Sequence, residues 1–133
     1  MNPMYHARSS AKIWGGHQDD YIAFHTWFDE SKAHHADFRH RALRHHSQGI
    51  FAAEERFGAY LTNSNGVEIP TRILGEQHVK EDLGFIPSLD YWLNRLKPEP
   101  WMAGERVRKD GNSHNVESQG DRVQRDEELP GGV

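Results

Sequence analysis

Apolar residues recur at helical spacing over much of the first hundred residues of this chain and lose that order afterwards. Tyr21, Phe24 and Phe28 follow the three-and-four step of one helix face, with Ile22 and Trp27 beside them. Asp19 or Asp20 stands ahead of this run as an N-cap, on the end where the helix dipole favours negative charge. Leu43, His46, Ile50, Ala53 and Phe57 form a second stripe, predicting a helix from about Phe38 that Gly49 weakens slightly and Gly58 closes. Asp37 can start a new helix, so a bend near Ala36 and Asp37, giving a helix hairpin, is preferred to one long helix. A short helix around Tyr5 to Trp14, broken by Gly15 and Gly16, precedes the pair, with Tyr5, Ile13 and Trp14 expected to cap the core.

The period then changes. The segments AYLT and VEIP flank NSNG, and Asn65-Gly66 is a strong two-residue turn signal, so a short β-hairpin is expected with Pro70 ending its second strand. GEQHVKEDLG predicts a short helix from about Glu76 to Leu83, stopped by Gly84. In IPSLDYWLNRL, Ser88 is the expected N-cap and Leu89, Trp92, Leu93 and Leu96 face inward. The fold class is mainly α: a helix hairpin and two shorter helices with one β-hairpin, a sheet too small to stand without helix packing.

Composition divides the chain unevenly. All 14 aromatic residues lie between Tyr5 and Trp101, and from Ala103 onward only six residues are apolar. We therefore expect a helical domain over 1–102 and a polar tail over 103–133, disordered or held by a protein partner, since such a segment buries too little apolar surface to offset its ordering entropy. Net charge is -4 and the body is nearly balanced, which argues against nucleic-acid binding. There is no cysteine, so any metal must be held by His, Asp, Glu or water. No apolar run near the start resembles a secretory signal and none is long enough to span a bilayer, so a cytoplasmic protein without membrane attachment is expected.

The candidate chemistry is histidine-rich. Six of the ten histidines (His25, His34, His35, His40, His45, His46) fall within 22 residues. His46 lies on the apolar stripe and is expected inward, whereas His45 is rotated away toward Arg41 and the surface. His25 and Asp29 are four apart, a spacing that lets a carboxylate orient a ligating imidazole from the second shell. His78 and Asp82 share a face of the later helix, and Glu76 lies at its start. The expected metal set is thus drawn from His25, His46, His78, Glu76 and Asp82, with Asp29 behind them, a mix that suits zinc, manganese or iron. Against each stands the plainer reading of a buried hydrogen-bonded histidine or a solvated helix face. Arg41, Arg44 and Lys32, with His45, form a basic strip able to hold a phosphate, although ordinary charge pairing is the more frequent use of such residues.

The segments YHARSSAKIWGG, TNSNG and above all GEQHVKEDLG followed by IP resemble a family of small uncharacterised proteins from bacteria and their phages, over Tyr5 to Trp101. The resemblance implies no activity or catalytic residue; it implies a phage-related origin, with a host-cytoplasmic or virion location. Two functions compete. One is a metal-dependent hydrolase acting on, or a protein binding, a phosphate-containing ligand. The other is a non-enzymatic phage accessory, structural or defence-interfering protein whose tail wraps a partner, with homo-oligomerisation open.

Overall fold

The computed structural model describes residues 1–104, so the expected tail from 103 lies, apart from its first two residues, outside the described residues. Two compact units divide the chain, 1–95 and 96–133. In the second, the described part is a 3-10 turn over Pro100–Ala103. In the first, α1 (Pro3–Trp14), α2 (Ile22–Asp29), α3 (Ser47–Phe57), the strands β1 (Tyr60–Thr62) and β2 (Glu68–Pro70), α4 (Thr71–Leu83) and α5 (Leu89–Leu93) follow in order. The mainly helical class and the single two-stranded hairpin are as expected.

Local chemistry accounts for most element ends. Asn2 caps α1 by accepting from the Met4 amide, and Gly15, at φ 87°, leaves it. The acidic pair Asp19-Asp20 does not cap α2; it forms a 3-10 turn, Gln18–Asp20, capped by His17 in a reciprocal box with Asp20. Asp37 does start a segment, accepting from the Arg39 amide, but that segment is a 3-10 helix, Phe38–Leu43. β1 and β2 pair antiparallel with Leu61 opposite Ile69. α4 begins directly after Pro70, five residues earlier than expected, and Gly84 ends it in the left-handed conformation. Ser88 caps α5 as expected.

The main departure is between the 3-10 helix and α3. The second stripe does not run as one helix, because His46 is fully extended (φ -163°, ψ 175°) and its ring Nδ1 accepts from the Gly49 amide as the N-cap of α3. Gly49 makes this turn possible: a Cβ there would lie 1.8 Å from the Arg44 carbonyl oxygen. Leu43 is consequently exposed rather than inward.

The apolar core is small: Ala7, Tyr21, Phe24, Trp27, Phe28, Ile50, Ala53, Ile69, Leu74 and Val79. Tyr5 and Ile13 are exposed; the inward face of α1 is instead His6, Ala7 and Ser10, with Ala11 and Trp14 packed against the core. Leu93 is also exposed, while Leu89 and Trp92 are half-buried. Among the described residues no helix is long and apolar enough to cross a membrane. Replacing Gly49 with Ala is expected to destabilise the fold by about 1–3 kcal/mol, the cost of forcing a methyl group into a filled space. Chemical denaturation showing an unchanged midpoint would contradict that tight turn.

Candidate functional site

Beside the small core lies a second interior, built of polar groups. His6, Ser9 and Ser10 come from α1, His25 and Asp29 from α2, Arg41 from the 3-10 helix and His45 from its junction with α3, and Gln77, His78, Glu81 and Asp82 from α4. His6, His25, His45 and His78 have no exposed surface, and the Asp82 side chain has none either. Helical spacing explains the grouping. His25 and Asp29, and likewise His78 and Asp82, are four residues apart, so α2 and α4 each present two polar groups on one flank beside their apolar ones.

Four of these groups converge. His45 Nε2 is 2.9 Å from Asp82 Oδ2 and 3.6 Å from Asp29 Oδ1. His78 Nε2 is 3.3 Å from Asp82 Oδ2 and 3.8 Å from Asp29 Oδ1. All four ligand atoms lie within 4.8 Å of one another. Despite these short separations, His78 Nε2 and Asp29 Oδ2 have no aligned hydrogen bond, and His45 Nδ1 has no partner. Of the converging atoms, His45 Nε2 and Asp82 Oδ2 are hydrogen-bonded to each other, while His78 Nε2 is left without an aligned partner. For two carboxylates and two imidazoles this is the disposition a divalent cation requires, and Asp29, His45, His78 and Asp82 can hold one.

A surrounding shell holds these groups in place. Asp82 Oδ1 accepts from His6 Nε2 at 3.1 Å and from the Met1 α-amino group at 2.9 Å, with Arg41 Nη2 at 3.8 Å. That leaves Oδ2 facing the centre. His6 Nδ1 faces Glu81 Oε1 at 2.7 Å, and Ser9 donates to the other Glu81 oxygen. The His78 ring is stacked between His6 and Phe28, with centroids at 3.8 and 4.6 Å. His25 Nδ1 meets His78 Nδ1 at 2.9 Å, and Ser10 Oγ meets His25 Nε2 at 2.8 Å.

Burial and charge set the proton affinities in opposite directions. Desolvation pushes His25 down to about 2, with the neighbouring rings of His78 and His6 adding to it. Burial likewise lowers His45, although Asp82 works against it. For His78, burial is outweighed by Asp29 and Asp82, which raise it. Burial opposes ionisation of Asp82, but the hydrogen bonds from His45 and His6, with His78 and the N-terminal ammonium close by, hold its carboxyl far below the usual range.

The expected site residues distribute as follows. His78 and Asp82 lie in the centre. Asp29, expected to orient His25, instead faces His45 and His78 at the centre itself. His25 lies one ring behind. His46 is outside the cluster, spent on capping α3, and Glu76 is half-buried on α4 and not among the converging groups. His45 is buried and central, not exposed, because the break before α3 turns it inward. Arg44 stacks on Trp27, with its guanidinium 4.0 Å from the ring, and bonds the Trp27 carbonyl and Glu30, so it is not free for a ligand. Lys32 is exposed, and of the basic strip only Arg41 borders the centre. His6, which sequence reasoning passed over, shows its signal in hindsight as a polar member of the inward face of α1. His40 is buried against Ser31 and lies outside the cluster.

The fold and centre thus define a small helical domain with a buried His/Asp cluster fit for a metal ion. The chain belongs to a family described as a domain of unknown function, DUF6915, which matches residues 1–102. Searches of curated proteins and of solved structures each found no match.

Two outcomes follow from this arrangement. His46→Ala removes a helix cap and is expected to cost about 1 kcal/mol in chemical denaturation; an unchanged midpoint would mean that the His46 ring does not cap α3. For the metal-free protein, His25 and His45 stay neutral when folded but take up a proton near pH ~6.5 when unfolded. Their contribution to stability is therefore present above ~6.5 and is lost as pH falls toward the lowered folded values. Asp82 adds a further loss below ~4. His78 runs the other way: its contribution is full below ~6.5 and is lost as pH rises through its raised value. Melting temperatures are expected to fall steeply from pH ~7 to ~4 and only gently on the alkaline side. A flat profile between pH 7 and 5 would mean that these rings are not buried neutral.

Proposed function

We propose that this protein binds one divalent transition metal, zinc foremost, through Asp29, His45, His78 and Asp82. The observation that carries the reading is the set of separations between imidazole nitrogens and carboxylate oxygens, 2.9, 3.3, 3.6 and 3.8 Å. Their mean is close to the edge of a tetrahedron with metal–ligand bonds of about 2.0–2.1 Å, which is about 3.4 Å. Two carboxylates cancel the charge of a divalent ion, and borderline nitrogen donors favour zinc over magnesium or calcium. In the metal-free state a proton on His78 takes part of that role, so loading is expected to release protons and to weaken in acid.

The site has the character of a holding centre more than a hydrolytic one. A catalytic zinc keeps a position open for water and substrate, whereas here four protein groups surround the space and only Asp29, of the four, has side-chain exposure, at 7%. A surface hollow lined by Gln48, Phe51, Ala52, Glu54 and Glu55 lies on α3, and none of the four residues lines it. The metal would join α2, the start of α3 and α4, adding to a domain whose apolar core is small. Arg41, partly exposed beside Asp82, is the residue through which an anionic ligand such as a phosphate would approach if the protein also acts on one.

Elemental analysis of the full chain purified without a histidine tag is expected to find one metal per chain. Metal at a hundredfold excess over its Kd should add about 2.7 kcal/mol, a rise in Tm of roughly 10–20 °C for a domain of this size. Chelator should reverse the rise, and Asp82→Asn should abolish it. A chain that neither carries nor takes up zinc, manganese, iron or cobalt would falsify this reading.

A further inference from the structure

His6, His25 and His78 form a second group close enough to hold a metal. Five of their six ring nitrogens, all but His78 Nε2, are however already hydrogen-bonded, and following the donors shows how. Gln77 Nε2 lies 3.1 Å from the His6 backbone carbonyl and 3.0 Å from Glu81 Oε1. A carbonyl oxygen can only accept, so the amide nitrogen must be on that side and Gln77 Oε1 on the other. Oε1 is 2.6 Å from Ser10 Oγ and carries no proton, so the Ser10 hydroxyl donates to it. With its one proton committed, Ser10 Oγ can only accept from His25 Nε2, at 2.8 Å. His25 is fully buried with no carboxylate bonded to it, which makes a charged ring there costly and leaves Nδ1 bare. His25 Nδ1 then accepts from His78 Nδ1–H, at 2.9 Å.

We propose that Gln77 and Ser10 are positioning residues that set the tautomer of His25 and thereby hold the proton on His78 Nδ1, so that Nε2 is the nitrogen that loses its proton to a metal shared with Asp29, His45 and Asp82. The inference rests on the metal-site reading for its purpose but not for its geometry. The directions of the first three hydrogen bonds follow from one amide that a backbone carbonyl locks in place, and that of the fourth from the neutrality of buried His25. It also accounts for the His6, His25 and His78 group without a second ion, since the nitrogens such an ion would need are already bonded. A metal-bound histidine ordinarily donates its other N–H to a carboxylate or carbonyl. Here the acceptor is a second imidazole, and that imidazole needs a relay to keep its own proton on the far side.

The test uses the full chain with 15N-labelled histidine. Long-range 1H–15N NMR of the metal-free protein at mildly alkaline pH is expected to show His25 protonated at Nε2. Gln77→Met frees the Ser10 hydroxyl to donate to His25 Nε2, so His25 should shift toward the Nδ1–H form and zinc affinity, measured by chelator competition, should fall 10–100-fold. Ser10→Ala should weaken zinc by a similar factor. A role limited to packing would leave the His25 tautomer unmoved. Finding wild-type His25 protonated at Nδ1, or finding tautomer and affinity both unchanged in Gln77→Met, overturns the proposal. Should the wild type take up no zinc at all, the metal reading fails, while the His25 tautomer and its response to Gln77→Met still decide the relay. Should Gln77→Met not fold, the wild-type tautomer alone decides it.

Discussion

A carboxylate removed from water must be compensated where it stands, and the Asp82 side chain has no exposed surface. Its two oxygens are met by His6 from α1, His45 from the start of α3, the Met1 amino group and, within its own helix, His78. Removing one partner from such a buried charge costs on the order of 3–5 kcal/mol, comparable to the whole stability of a small domain. The packing of α1 and α3 on α4 is therefore tied to the satisfaction of one side chain. The apolar core alone holds two phenylalanines, one tyrosine and one tryptophan with a few aliphatic residues. The polar interior is a second means of joining the same helices, and a cation at its centre would be a third.

Much of the frame could be read from the chain because local rules decided it. The hairpin formed where expected, though it turns over Asn63 to Gly66, with the Asn63 side chain accepting from the Asn65 and Val67 amides, and not as a two-residue Asn65-Gly66 turn. Gly58 and Gly84 ended helices, and Asp37 and Ser88 began segments, each through a turn geometry or a side-chain cap that depends on residues within four positions. The His78 and Asp82 pair was legible for the same reason, since helical spacing alone puts them on one face. Where Asp29 points was not. Its spacing from His25 is right for a pair, yet both side chains turn to partners on other elements, Asp29 to His45 and His78, His25 to Ser10 and His78. Only the tertiary arrangement of α1, α2 and α4 decides this.

His45 and His46 show how much a one-residue error matters. The apolar stripe from Leu43 to Phe57 fits a continuous helix, and in a continuous helix His46 faces inward and His45 does not. The chain instead leaves the 3-10 helix at Arg44 and restarts at Ser47, with His46 extended between. A helix and an extended residue direct successive side chains differently, so the break brings His45 into the polar centre and leaves His46, which is buried as well, to cap α3. The signal lay in Gly49, which reads as a mild helix weakener but sits against the Arg44 carbonyl where no Cβ fits. His46 in a capping position is the other half of that signal. Histidine is an uncommon cap, and its place on an apolar stripe disguised it.

Whether such a centre does chemistry or holds the fold depends on access more than on ligand type. The donors here would suit a hydrolytic zinc as well as a structural one. What separates the two is whether a position stays open: in the proposed site all four would belong to side chains, and the rings of His6, Phe28 and His25 stack about His78. A substrate would have to displace Asp29, the one ligand with exposed surface, and approach past Arg41. Arg41 offers a guanidinium to an anion, and Asp29 is the member of the cluster with least holding it: one oxygen has no partner and the other faces only two imidazoles at 3.6 and 3.8 Å. The centre is therefore strongest on its α4 side, where Asp82 and His78 are fixed from several directions, and weakest on its α2 side. Were the proposed metal bound, exchange of ligand, metal or water would begin at Asp29.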